Sequence, residues 1–237
     1  MRRILMSGSA AVVGIALWVV PAGATVTSAR SSEASKDPTT ILADAKAATA
    51  ASKTVRISGS VVEGGKRTSM NLVSNQGRGG GTVTTRGATI KIVVVPPNVY
   101  LKADKASWTK LAGTAAAGQL LAGKWLQTTT ADPDFASFAA LLDASTLTQS
   151  LTATGTVAKG AVTDFHGKKA VPLKDGTQNG TLYVAASGTP YILGIVGTGA
   201  KKNNQVLFTE YGSAKVPTAP ANAINLSQLE QTSGGSQ

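Results

Sequence analysis

The spacing of apolar and polar positions changes several times along the chain, and each change marks an element. From Thr39 to Ser52 the apolar positions Ile41, Leu42, Ala45, Ala48 and Ala51 recur every three or four residues. That spacing predicts an amphipathic helix with an alanine-rich face, opened by Asp37 as N-cap and Pro38 in the first turn. From Lys53 the period becomes two. Val55, Ile57, Gly59 and Val61 alternate with Thr54, Arg56, Ser58 and Ser60, as in a half-buried strand. Gly64-Gly65 is a hairpin turn, and Thr68–Val73 returns. The run Gly77-Arg78-Gly79-Gly80-Gly81 reads as a flexible hairpin loop leading into a strand over Thr82–Arg86. Gly87 then turns into Ile90–Val95, the most apolar strand-like run after the N-terminus. Pro96-Pro97 ends that run and Val99–Lys102 follows.

Asp104–Ser107 is expected to be a turn before Trp108-Thr109-Lys110-Leu111. Only from Thr114 to Ala122 does the pattern become helical. Lys124–Thr128 predicts a short strand. Asp132-Pro133 opens a predicted helix carrying Phe135, Phe138, Leu141 and Leu142. Strand periodicity resumes over Leu151–Val157, Gly160–Gly167, Ala170–Leu173, Gly180–Ala186, Pro190–Val196 and Gln205–Tyr211. A helix, about five strands, a helical insertion and about five more strands indicate an α+β fold with an antiparallel sheet. A single layer of about ten strands curls strongly. The expected architecture is a strongly curved sheet, a half-open barrel, with helices covering its concave face.

The first residues change the picture from globular domain to exported domain. Met1-Arg2-Arg3, an apolar run from Ile4 to Val20, and Ala22-Gly23-Ala24 have the order of a secretory signal peptide. Residues 1–24 are therefore expected to be the leader, 25–37 a Ser/Ala-rich disordered tether, 38–216 the domain, and 217–237 a Pro/Ala/Ser tail. A retained membrane anchor is the alternative for Ile4–Val20. Without Arg2 and Arg3 the basic residues number 21 against 12 acidic, a charge of +9. The excess is scattered in pairs such as Lys66-Arg67, Lys168-Lys169 and Lys201-Lys202, which reads first as a solvated surface. Membrane-surface contact through anionic headgroups, or contact with a polyanionic wall polymer, is the partner chemistry it would suit. There is no cysteine, so stability rests on the core, and disulfides, thiolate metal sites and cysteine acylation are excluded. Ala24 stands where a lipoprotein leader would have its acylated cysteine.

Candidate chemistry is sparse. One histidine and 12 acidic residues leave little for catalysis, and no nucleophile elbow, phosphate loop, zinc helix or calcium loop is present. Asp164-Phe165-His166 puts a carboxylate and a base two apart, where a turn histidine is the simpler reading. Asp132 and Asp134 suit a helix N-terminus better than a glycosidase pair. Nucleic-acid binding fits poorly despite a pI near 10, because aromatics are few and no basic-aromatic platform is visible. What stands out is an apolar surplus interleaved with small residues, which leaves room for a cavity suited to a long apolar ligand.

The order of parts resembles a known family. TVRISGSV after the first helix, then NVYLKADKASWTKL and AGKWLQ, then GAVTDFHGKKAVPL, GTLYVAASGTPYILGIVGTG and VLFTEYG are similar to the LppX/LprG-type lipoproteins of actinobacteria (the LppX_LprAFG family). The likeness runs from about Pro38 to Val216. It implies a LolA-like fold: a half-open antiparallel sheet whose helices enclose a hydrophobic cavity for the acyl chains of lipids or glycolipids. The family is typically acylated on a cysteine that is missing here, so the expectation is a monomeric, exported, secreted or envelope-associated protein without a lipid anchor. Taken with the apolar surplus, the resemblance points to a non-enzymatic carrier that needs no cofactor. Ile92, Val94, Leu101, Phe138, Leu141, Leu142, Leu182 and Val184 are the expected cavity lining. The competing expectation is a structural or regulatory envelope module with a solid core.

Overall fold

The computed structural model describes residues 32–132, 142–149, 155–177, 179–226 and 228. Among them, thirteen strands form one sheet: β1 (Val55–Glu63), β2 (Lys66–Asn75), β3 (Arg78–Thr85), β4 (Ala88–Val95), β5 (Asn98–Ala103), β6 (Trp125–Thr129), β7 (Val157–Lys159), β8 (Thr163–Phe165), β9 (Lys168–Asp175), β10 (Gly180–Ala185), β11 (Ile192–Gly197), β12 (Gln205–Thr209) and β13 (Ala223–Asn225). Four α-helices accompany them: α1 (Pro38–Ala50), α2 (Lys105–Ala112), α3 (Ala115–Leu121) and α4 (Ala144–Gln149).

The strands lie in the order β13-β6-β5-β4-β3-β2-β1-β12-β11-β10-β9-β7, with β8 also on β9. The sheet is curved and does not close, and β13–β6 is its parallel pair. Strand β1 is the hinge of the topology. On one side it pairs with β2, from Val55↔Ser74 to Glu63↔Lys66, and starts the meander β1–β5. On the other it pairs with β12, Ile57 opposite Phe208, which joins the meander β9–β12.

Helix α1 follows the predicted pattern. The Asp37 carboxylate accepts the Thr39 and Thr40 amides, each at 3.0 Å, and Ile41, Leu42 and Ala45 are buried against the second meander. Fully burying a side chain such as Ile41 contributes about 1.5–3 kcal/mol.

Four local expectations are corrected. Helix α2 starts at Lys105, within the predicted turn, and includes Trp108–Leu111. Asp104 caps it through the Ser107 amide at 2.7 Å, and Gly113 ends it in the left-handed conformation. Paired caps of this kind decide a two-turn helix more firmly than the propensities of tryptophan and threonine. The glycine run is not a loop: Gly79, Gly80 and Gly81 lie inside β3. Their φ values are 140°, 155° and 150°, and a Cβ on each would stand 1.9, 2.2 and 2.0 Å from the carbonyl oxygens of Val73, Ile92 and Asn71. Glycine there lets β2 and β4 approach β3 closely and lets the sheet bend.

Residues 32–36, read as tether, are part of the fold. The Glu33 amide donates to Ala186 O at 3.2 Å, and Glu33 itself is buried and paired to Lys36 at 2.7 Å. Finally, β13 adds a strand within the segment read as tail. No described helix is long and apolar enough to cross a membrane.

Gly81→Ala is expected to destabilise the domain by about 3 kcal/mol or more, since both the conformation and the neighbouring carbonyl oppose a Cβ. Urea unfolding followed by circular dichroism measures it, and a midpoint shift below about 1 kcal/mol equivalent contradicts the close-approach account.

Candidate functional site

The register fixes which residues face the helices. Along β1 the inward positions are Val55, Ile57, Gly59 and Val61. Opposite them on β2 are Ser74, Leu72, Met70 and Thr68. The same face continues through Gly81 and Val83 on β3, Ile90, Ile92 and Val94 on β4, and Val99 and Leu101 on β5.

Two apolar clusters occupy this concave face. The first meander packs Ile92 and Val94 with Leu101 under Trp108 of α2, Leu121 of α3, and Leu142. The second packs Val184, Ile192 and Phe208 under Ile41, Leu42 and Ala45 of α1 and Ala144 of α4. Met70 touches both clusters.

Of the expected lining residues, Ile92, Val94, Leu101 and Leu142 come together, with exposures of 1%, 0%, 3% and 1%. Val184 is fully buried in the other cluster and Leu182 packs half-buried beside it. Phe138 and Leu141 lie outside the described residues.

Between the clusters runs a strip that the sequence reading does not single out. Gly59, Val61, Thr68 and Met70 face inward there and are only half-buried. The described helices pack chiefly on β4 at one side and on β7, β10 and β11 at the other. The strip has a faint sequence signal, small residues at the inward phase of β1. Which strands the helices leave uncovered is a tertiary property that period and composition do not carry.

Polar groups fix the edges of this face. The Leu142 carbonyl accepts Ser74 Oγ at 2.6 Å and the Gly77 amide at 3.1 Å, which pins the end of the insertion to β2 and its turn. Thr49 Oγ1 accepts the Ile192 amide at 3.1 Å, and Tyr211 OH donates to Ile192 O at 2.5 Å. Both sides of the β11 start are thereby held to α1 and the end of β12. Burial pushes the Tyr211 phenol well above the usual tyrosine range. Trp108 Nε1 is buried without a partner among the described residues.

Catalytic geometry is thin. His166 sits in a turn with φ of 50°, its Nε2 3.0 Å from Gln205 Nε2, while Asp164 pairs with Lys169 at 3.0 Å. Among the described residues no group of three His, Cys, Asp or Glu side chains could hold a metal. A cleft of about 420 Å³ opens among Lys168, Lys169, Tyr191 and Leu193, apart from every expected lining residue.

No family model matches the chain. No curated protein sequence matches it either. Among solved structures the chain is similar to LprF from Mycobacterium bovis, at 11% identity over 76% of this chain and 96% of that one, with a TM-score of 0.49. It is similar to the lipoprotein LppX of Mycobacterium tuberculosis at 12% identity, over 77% and 100% of the two chains, with a TM-score of 0.48. A conserved protein from Thermus thermophilus aligns at 10% identity over 79% and 97%, with a TM-score of 0.38.

Tyr211→Phe is expected to cost about 1 kcal/mol at neutral pH by removing the bond to Ile192 O. The raised phenol also sets a pH dependence. A folded-state value above the unfolded one means stability is complete below the unfolded tyrosine value of about 10 and is lost as pH rises beyond it. The variant should lose that alkaline decline, which urea midpoints across the alkaline range would show. An identical decline in both proteins contradicts the assignment.

Proposed function

We propose that the protein is a non-enzymatic, exported binder of lipid or glycolipid acyl chains, which it holds between the concave face and the helices for carriage in the cell envelope. The observation that supports this most is the half-buried strip on β1 and β2, at Gly59, Val61, Thr68 and Met70, lying between two fully buried apolar clusters. A chain laid along the strip exchanges water for aliphatic neighbours on both sides. Each methylene so buried contributes about 0.8 kcal/mol. The cluster that holds Ile92, Val94, Leu101 and Leu142 stands on one side of the strip and the cluster of Leu182 and Val184 on the other, while Phe138 and Leu141 lie outside the described residues.

A second reading has its own observation. Ile92, Val94, Val99, Val184 and Ile192 are at most 1% exposed, so both clusters are packed solid. That packing favours a structural or regulatory envelope module, and under it the strip is merely a shallow surface.

Titration with a fluorescent fatty acid separates the two readings. The carrier reading expects saturable uptake, and Val61→Trp, which fills the strip, should weaken it by roughly tenfold, equivalent to about 1.4 kcal/mol, at unchanged thermal stability. Native mass spectrometry after gentle extraction should show a lipid adduct. Absence of both adduct and saturable uptake selects the solid module.

A further inference from the structure

The opposite face of β1–β6 carries a separate pattern. Its outward strand positions hold Arg56, Arg67, Arg78, Lys91 and Lys102, and no acidic residue. Arg56 is matched by Glu210 at 2.8 Å, while Lys91 and Lys102 have no ion pair among the described residues. These two lysines are direct cross-strand partners in the β4–β5 register. Like charges placed opposite each other disfavour a sheet, and an anion bound beside them would offset that repulsion.

Between them and the sheet edge lies Trp125, half-buried, with Lys91 Nζ 5.9 Å and Lys102 Nζ 5.7 Å from its ring centre. An indole flanked by two ammonium groups combines two preferences. Tryptophan sits at the level of lipid headgroups, and lysine is drawn to anionic lipid.

We infer that the accessible part of the convex face around Lys91, Lys102 and Trp125, beside the buried outward positions Val93 and Tyr100, docks on the surface of an anionic lipid bilayer. The choice of occupant rests on charge complementarity together with the aromatic at the centre of the patch. A purely polyanionic partner would use the cations and leave the indole without a role. This inference goes beyond acyl-chain binding and does not depend on it.

The test measures partition of the full chain onto phosphatidylcholine vesicles with and without phosphatidylglycerol. The quantity compared is the ratio of the two, and it is compared between variants because Arg2, Arg3 and the apolar run at Ile4–Val20 are the same in all of them. The wild type should favour the anionic vesicles, and each lysine removed should lower the ratio by about fivefold. The double variant Lys91→Gln/Lys102→Gln is therefore expected to lose most of the preference. Lys168→Gln/Lys169→Gln, which removes the same charge from the other half of the sheet, should retain it. Brominated headgroup-proximal lipids should quench emission that Trp125→Phe removes. Equal partition onto both vesicle types, equal losses in the two lysine pairs, or an unquenched Trp125 overturns the docking surface. So does retention on an anionic wall polymer with no vesicle preference. Circular dichroism of each variant confirms the fold, and the paired control keeps the comparison decisive if one variant is unstable.

Discussion

Strand β1 is the constraint on which the molecule depends. It is hydrogen-bonded along both edges, to β2 within its own meander and to β12 from the far end of the chain. The β1–β12 contact joins residues about 150 positions apart, so it is among the least local contacts of the sheet and carries the loop-closure cost of the chain between them. Gly59 marks how tightly the join is made, since a Cβ there would stand 2.0 Å from Gln205 O. Without that pairing there would be two small sheets, each with its own helix-covered cluster, and no shared concave face.

What is legible in the sequence is whatever local spacing determines. Helix α1 declares itself through Asp37, Pro38 and the Ile41–Leu42–Ala45 face, β1 through its alternation, and β4 through its apolar run. Helix α2 escapes a reading by period because its signal lies in its two caps rather than in Trp108–Leu111. Gly79–Gly81 escape it because glycine is read as a breaker, whereas here neighbouring backbones exclude any other residue. β13 has no periodicity to read, and its parallel pairing with β6 is entirely non-local.

The candidate site divides in the same way. Inward phase on each strand is readable, which is why Ile92, Val94, Leu101 and Val184 all prove to face the helices. Their division into two banks depends on which helix covers which strands, and that depends on long-range packing. The two faces of β1–β6 are likewise interleaved in sequence, with apolar residues prevailing at the inward positions and Arg56, Arg67, Arg78, Lys91 and Lys102 among mostly polar outward ones. One register therefore positions both the groove and the cationic surface, and a slip of one residue would exchange them.

The unclosed sheet leaves two ends, and the way they are finished bears on how the protein behaves at high concentration. Three-residue β13 lies along β6 at one end. At the other, β7 and β8 share the outer edge of β9 as two separate three-residue pieces. Among the described residues, the edge strands are thus short, interrupted stubs rather than a long template for another chain. A sheet this wide, with strands as apolar as β4 inside it, can be kept from growing molecule by molecule through the poverty of its own borders.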